Sequence, residues 1–235
     1  MEEKSSHKSR RARRVNMNDM QRLGEKHNTD KVWRHKYHEI FPTYIEKFYR
    51  ENGGLIEIGL KDGASLNMWT ELFPNMHIYG LSREAKDEVA DRHTVLQCDQ
   101  SDQIQLDHAV KKIKHPIHFI NDDGSHIPEH QLLTFNKLFP VLEIGGVYII
   151  EDIETSYWTK GGLYGYKTRY GKGNKRSIVE IFKNTVDAVN YKFSKSAEGE
   201  VQHQKQISAV CFEQNCIIIK KRNPVFEEYE FKNKL

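Results

Sequence analysis

The sequence predicts an α/β domain with a mostly parallel seven-stranded sheet, helices on both faces and an antiparallel hairpin at its C-terminal end. Three observations carry this. Between Leu55 and Asn190, short apolar runs alternate with longer amphipathic stretches, which is the texture of strands joined by crossover helices. Near the end, ISAVCF and CIIIKK are separated only by Glu213-Gln214-Asn215, too few residues for a crossover helix but enough for a hairpin turn. The chain has 235 residues, enough for one large domain with a substantial core.

The elements follow in order. IFPTYIEKFYREN has apolar positions at helical spacing and precedes Gly53-Gly54, so a helix is expected to end there. LIEIGL, MHIYGL, TVLQC, IHFIND and VYIIED then read as strands, and SLNMWTELF, QLDHAVKKI, EHQLLTFNKLF and SIVEIFKNTVDAVN as helices. Residues 1–16 read as a disordered basic tail or linker. Residues 17–222 read as the domain, with an N-terminal helical segment over 17–52, and 223–235 as a C-terminal extension. The stretch from Tyr157 to Arg176, rich in glycine and aromatic residues, is either a lid over a site or a surface insertion.

Charge and composition narrow the function. Residues 1–14 hold six Lys or Arg against two Glu, which leaves thirty against thirty-one in the remainder. The folded part is therefore not basic, and a nucleic-acid-binding module is disfavoured. No apolar run approaches the ~20 residues needed to cross a bilayer, and the start has no apolar signal core. Cys98, Cys211 and Cys216 show no CxxC pairing, so a reducing, cytoplasmic location is expected.

Two groups of residues carry chemistry. Glu57-Ile58-Gly59-Leu60-Lys61-Asp62-Gly63 joins the first strand to a helix. Glycines there let the backbone approach a ligand, and the helix start offers free N–H groups. The G-x-x-x-G spacing differs from the dinucleotide fingerprint, which disfavours an NAD-dependent oxidoreductase, while an acidic Glu57 suits a cationic ligand such as S-adenosylmethionine. Asp123 closes one predicted strand and Glu151-Asp152 the next, so all three are expected at the C-terminal edge of the sheet, where open α/β folds bind ligands. Hard carboxylate oxygens in that number suit Mg²⁺ or Mn²⁺, and His126 should reach the same place.

DDGSHIPEHQLLTFNKLFPVL, GGVYIIEDIETSYW, IEIGLKDGASLNMW and the earlier NTDK resemble the macrocin and mycinamicin O-methyltransferases, metal-dependent enzymes that methylate sugar hydroxyls with S-adenosylmethionine. The similarity runs from about Thr29 to Lys220. It implies the class I methyltransferase fold, Asp123, Glu151 and Asp152 as metal ligands, and His126 as general base. It also implies that Glu57, Gly59 and Ser65 hold the methionine end of the cofactor, with Asp99 and Gln100 by the adenine; Gly63 of the same turn is read as a further cofactor-binding residue, and Asp122 as either a cofactor neighbour or a structural residue. Thr29-Asp30-Lys31 matches a family segment near the active site without an assigned role. Ser82 departs from the pattern, standing where such enzymes have an acidic residue for the ribose; Glu84 or a water is the expected substitute.

The expected partner is a sugar-containing small molecule or a glycan, with no membrane or nucleic acid, and the chain is expected to be one domain of a larger glycan-modifying protein. The rival substrate is a catechol or other phenol. Such enzymes share the metal arrangement but use a lysine where this chain has His126, which tilts the reading towards a sugar.

Overall fold

The computed structural model describes residues 19–158, 168–190 and 201–222. The basic tail, the middle of the glycine-rich stretch and the 223–235 extension lie outside the described residues. The strands are β1 (Gly53–Ile58), β2 (Met76–Ser82), β3 (Glu88–Val89), β4 (His93–Gln97), β5 (Ile117–Asp122), β6 (Leu142–Glu151), β7 (Ile207–Glu213) and β8 (Cys216–Lys221). They form one sheet in the order β3-β4-β2-β1-β5-β6-β8-β7. β4, β2, β1, β5 and β6 are parallel neighbours, and β8 and β7 are antiparallel.

Alternation along the strands explains the two cores. Successive side chains of a strand face opposite ways, so Ile56, Ile120, Tyr148 and Ile150 go to one face and Leu55, Phe119, Val147 and Ile149 to the other. The first face is covered by α5 (Gln103–Lys112), α6 (Pro128–Leu138) and α7 (Ile178–Lys183), through Leu106, Phe135, Leu138 and Phe182. The second is covered by α1 (Asp19–His27) and α4 (Ala64–Leu72), through Met20, Leu23, Trp69 and Leu72. Phe41 and Ile45 join that second core from α3 (Pro42–Ile45) and the residue before it. Both faces of the sheet are thus buried, as a parallel sheet requires.

Three elements differ from the sequence reading. The helix expected before Gly53 is divided into α3 and a 3-10 turn at Glu46–Phe48, and the segment ahead of it holds α2 (Asp30–Trp33) and a 3-10 turn at Tyr37–Glu39. Asn28 after α1 and Lys36 before the Tyr37–Glu39 turn take left-handed backbone angles, and Pro42 begins α3. The helix expected over 177–190 is divided into α7 and α8 (Val186–Val189), with the Thr185 hydroxyl donating to the Phe182 carbonyl at 2.6 Å. The sheet also gains β3, two residues paired antiparallel to β4. Among the described residues no helix is long and apolar enough to cross a membrane.

Candidate active site

Strand register brings the predicted acids together. Ile58 of β1 lies beside Asp122 of β5, which lies beside Ile150 of β6, so Gly59, Asp123 and Glu151, the residues that follow, come to one level of the sheet. The backbone there is tight. Gly59 has φ +87°, and a Cβ on it would lie 2.0 Å from the Asp123 carbonyl oxygen; only glycine lets the β1 turn pass under the β5 loop. The Asp123 N–H donates to the Ile58 carbonyl at 2.9 Å and fixes the two turns against each other.

An open cleft of roughly 2080 Å³ runs along this edge. Gly59, Gly63, Ser65, Ser82, Asp99, Gln100, Asp123, His126 and Asp152 line it. Glu57, Asp122 and Glu151 lie behind its wall, each at most 1% exposed. Glu57 Oε2 accepts from the Ser65 hydroxyl at 2.8 Å and Oε1 from the Trp69 indole at 2.9 Å. Asp122 accepts from Gln100 Nε2 at 3.1 Å and from the Tyr148 hydroxyl at 3.4 Å. Its burial pushes the carboxyl up to about 7, against the Gln100 bond. Gln100 also receives the Ser125 N–H, so it shapes the 122–126 loop from below while touching the cleft.

The donor atoms of Asp123, His126 and Asp152 all lie within 4.8 Å of one another. His126 Nε2 is 3.9 Å from Asp123 Oδ1 and 3.8 Å from Asp152 Oδ2. Both His126 (φ 55°) and Asp152 (φ 52°) are in the left-handed region, which costs of order 1 kcal/mol or more per residue and is concentrated at functional sites. Two clamps hold them there. The Thr155 hydroxyl donates to the His126 carbonyl at 2.8 Å. Asp152 Oδ1 accepts from the Tyr37 hydroxyl at 2.8 Å and from Asn215 Nδ2 at 2.9 Å, and His35 Nδ1 lies 3.3 Å away. The two carboxylates are hard oxygen donors of the kind that hold Mg²⁺ or Mn²⁺, and the imidazole beside them faces the same polar cleft.

Glu151, expected as the third carboxylate ligand, is not among these converging donors. Its Oε1 accepts from Lys31 Nζ at 2.8 Å and from Asn121 Nδ2 at 2.7 Å. Burial, then the neighbouring charge of Asp123, push its carboxyl well above the usual range, with Lys31 opposing. Lys31, Tyr37, His35 and Asn215 were not singled out as site residues from the sequence. NTDK was the one textual signal among them; the others meet Asp152 only through the fold.

A mostly parallel sheet with this strand order, a glycine turn after its first strand and acids at its C-terminal edge define a class I methyltransferase fold. The chain belongs to the macrocin and mycinamicin-type sugar O-methyltransferase family. It is 31% identical over 215 residues to 8-demethyl-8-alpha-L-rhamnosyl tetracenomycin-C 2'-O-methyltransferase of Streptomyces olivaceus, covering 85% of this chain and 54% of that protein. It is 33% identical over 149 residues to mycinamicin VI 2''-O-methyltransferase of Micromonospora griseorubida, covering 60% and 37% respectively. Among solved structures, the MycE methyltransferase of the mycinamycin biosynthetic pathway, in complex with Mg and SAH, superposes with a TM-score of 0.76 at 26% identity, over 87% of this chain and 55% of that one. The chain thus spans about half the length of the curated relatives it matches. No protein-family model matches it.

Proposed function

We propose that this chain transfers a methyl group from S-adenosylmethionine to a sugar hydroxyl of a sugar-containing small molecule, with a divalent metal, Mg²⁺ or Mn²⁺, at Asp123 and Asp152 and with Glu151 behind them in the wall. The observation that carries this reading is the convergence of Asp123, His126 and Asp152 within 4.8 Å on a cleft that also contains the Gly59 turn. Related proteins support it: MycE has been seen with Mg, SAH and mycinamycin VI together. A cytoplasmic location accords with the free thiols of Cys98, Cys211 and Cys216.

The residues divide the work. Gly59, Gly63 and Ser65 offer a close backbone approach for the methionine end of the cofactor, with Ser82, Asp99 and Gln100 further along the same cleft. Glu57 and Asp122 act from behind the wall, holding Ser65 and Gln100 in place. A bound Mg²⁺ or Mn²⁺ supplies Lewis acidity that lowers the pKa of a chelated hydroxyl. His126 Nε2 accepts the hydroxyl proton, which an imidazole can do near neutral pH. Asp152 faces the cleft under three restraints from Tyr37, Asn215 and His35, so its carboxylate does not have to reorganise. On the acceptor side the cleft is bordered by Trp33, 60% exposed, and Tyr157, 55% exposed; such rings cover the apolar faces of sugars while polar neighbours fix the hydroxyls.

The test is methyl transfer from labelled cofactor to a panel of glycosides, nucleotide sugars and catechols with Mg²⁺ or Mn²⁺ present, with the product mapped by mass spectrometry. The label is expected on a sugar hydroxyl. Methylation confined to catechols would replace the sugar reading with the phenol one.

A further inference from the structure

Lys31 has no part in the proton or methyl transfer described above, yet its side chain is committed to the site. It is 1% exposed and comes from α2, outside the sheet. Its Nζ lies 2.6 Å from Asp123 Oδ2, 2.8 Å from Glu151 Oε1 and 3.4 Å from Glu57 Oε1. Glu57 is the penultimate residue of β1, Asp123 follows β5 and Glu151 ends β6, so one ammonium joins three adjacent strands at the level of the cleft. Neighbouring residues seat it: Thr29 is buried, and Asp30 pairs with Lys61 of the β1 turn at 3.1 Å.

The charges explain why the arrangement is needed. A buried ammonium alone is costly, and so are clustered buried carboxylates; together each makes the other tolerable. Without Lys31 the group would hold like charges with no internal compensation. With it, Glu151 is drawn behind the wall by the same cation that holds the Oδ2 atom of Asp123, and Asp123 Oδ1 is the oxygen near His126.

We propose that Lys31 is a positioning residue, a resident cation that orders Asp123 and Glu151 before a divalent metal arrives and ties them to Glu57 beneath the cofactor turn. The metal clause rests on the function proposed above; the charge compensation does not. A lysine that merely fills space would be replaceable by an uncharged chain of similar length, and its loss would not depend on the charge of Glu151.

The experiment is a melting-temperature comparison of wild type, Lys31→Met and the double variant Lys31→Met/Glu151→Gln, all treated with chelator and without cofactor or acceptor. The single variant is expected to melt about 10 °C lower, as for a broken buried ion pair. The double variant is expected to recover at least half of that loss. A single variant within about 2 °C of wild type, or a double variant no better than the single, overturns the proposal. If the single variant does not fold, a folded double variant supports the proposal and an unfolded one overturns it. A parallel Mg²⁺ titration of the wild type keeps the two readings apart: no Mg²⁺-dependent shift counts against the metal site, while the charge rescue still decides the role of Lys31.

Discussion

The two edges of the sheet both gather titratable side chains, and they treat them differently. At the C-terminal edge, acids from β1, β5 and β6 meet around one lysine, and His126 and Asp152 sit in left-handed backbone beside an open cleft. At the N-terminal edge, His77 and His115 stack at 4.7 Å between ring centroids. Their polar partners are neutral: His77 Nε2 meets the Thr94 hydroxyl at 2.9 Å and His115 Nδ1 the Tyr79 hydroxyl at 2.7 Å. Burial, then the charges on His115 and His93, lower the pKa of His77. The difference teaches what separates a site from a cluster. The histidines settle their hydrogen bonds on neutral hydroxyls in ordinary backbone, whereas the acids rely on a buried cation and on strained residues that present ligand atoms to a cavity.

The largest effect that would sharpen the comparison is at His126. His126→Ala should lower turnover by on the order of 10² to 10⁴ with little change in cofactor binding by calorimetry; unchanged turnover would remove it from the proton-accepting role. Next is Gly59→Ala, which places a Cβ 2.0 Å from the Asp123 carbonyl in a backbone of φ +87°. A stability loss of about 3 kcal/mol is expected in denaturant titration, together with weaker Mg²⁺ binding because Asp123 must move. Substitutions at His77 should leave methyl transfer alone. The smallest effect is there and concerns pH. The pKa of His77 in the fold lies below its ordinary 6.5, so the neutral ring is favoured by folding. Its contribution is complete above about pH 6.5 and is lost as the pH falls below it. The melting temperature should therefore drop on acidification, and His77→Asn should drop less steeply; an equal slope would show that His77 is not responsible.

Much of this edge was legible in the sequence because strand ends are legible. Apolar runs such as IHFI and VYII end at Asn121 and Glu151, and parallel register brings such ends to one level. What was harder is the direction of each side chain. Glu151 ends β6 and Asp152 follows it in left-handed backbone, a turn that leaves one buried against Lys31 and the other facing the cleft. Glu57 likewise ends a strand as read, but its carboxylate is occupied by Ser65 and Trp69 from the first turns of α4. Of the restraints on the site, only the NTDK segment was legible, and without a role. Lys31 and Asp123 are 92 residues apart, and Tyr37 and Asp152 are 115 apart; such contacts arise from how α2 and the following turn lie over the sheet edge, which no local pattern records. The helix read over IFPTYIEKFYREN has the apolar spacing expected of it, yet it is divided into α3 and a 3-10 turn at Glu46–Phe48.

The central claim is that the acidic edge is a metal-dependent methyl-transfer site. Its most direct test is the rate of methyl transfer to a sugar acceptor after exhaustive chelation, followed by addition of Mg²⁺ or Mn²⁺. Loss of activity on chelation and its return with the metal are the predicted result; full activity in the chelated protein would contradict the account.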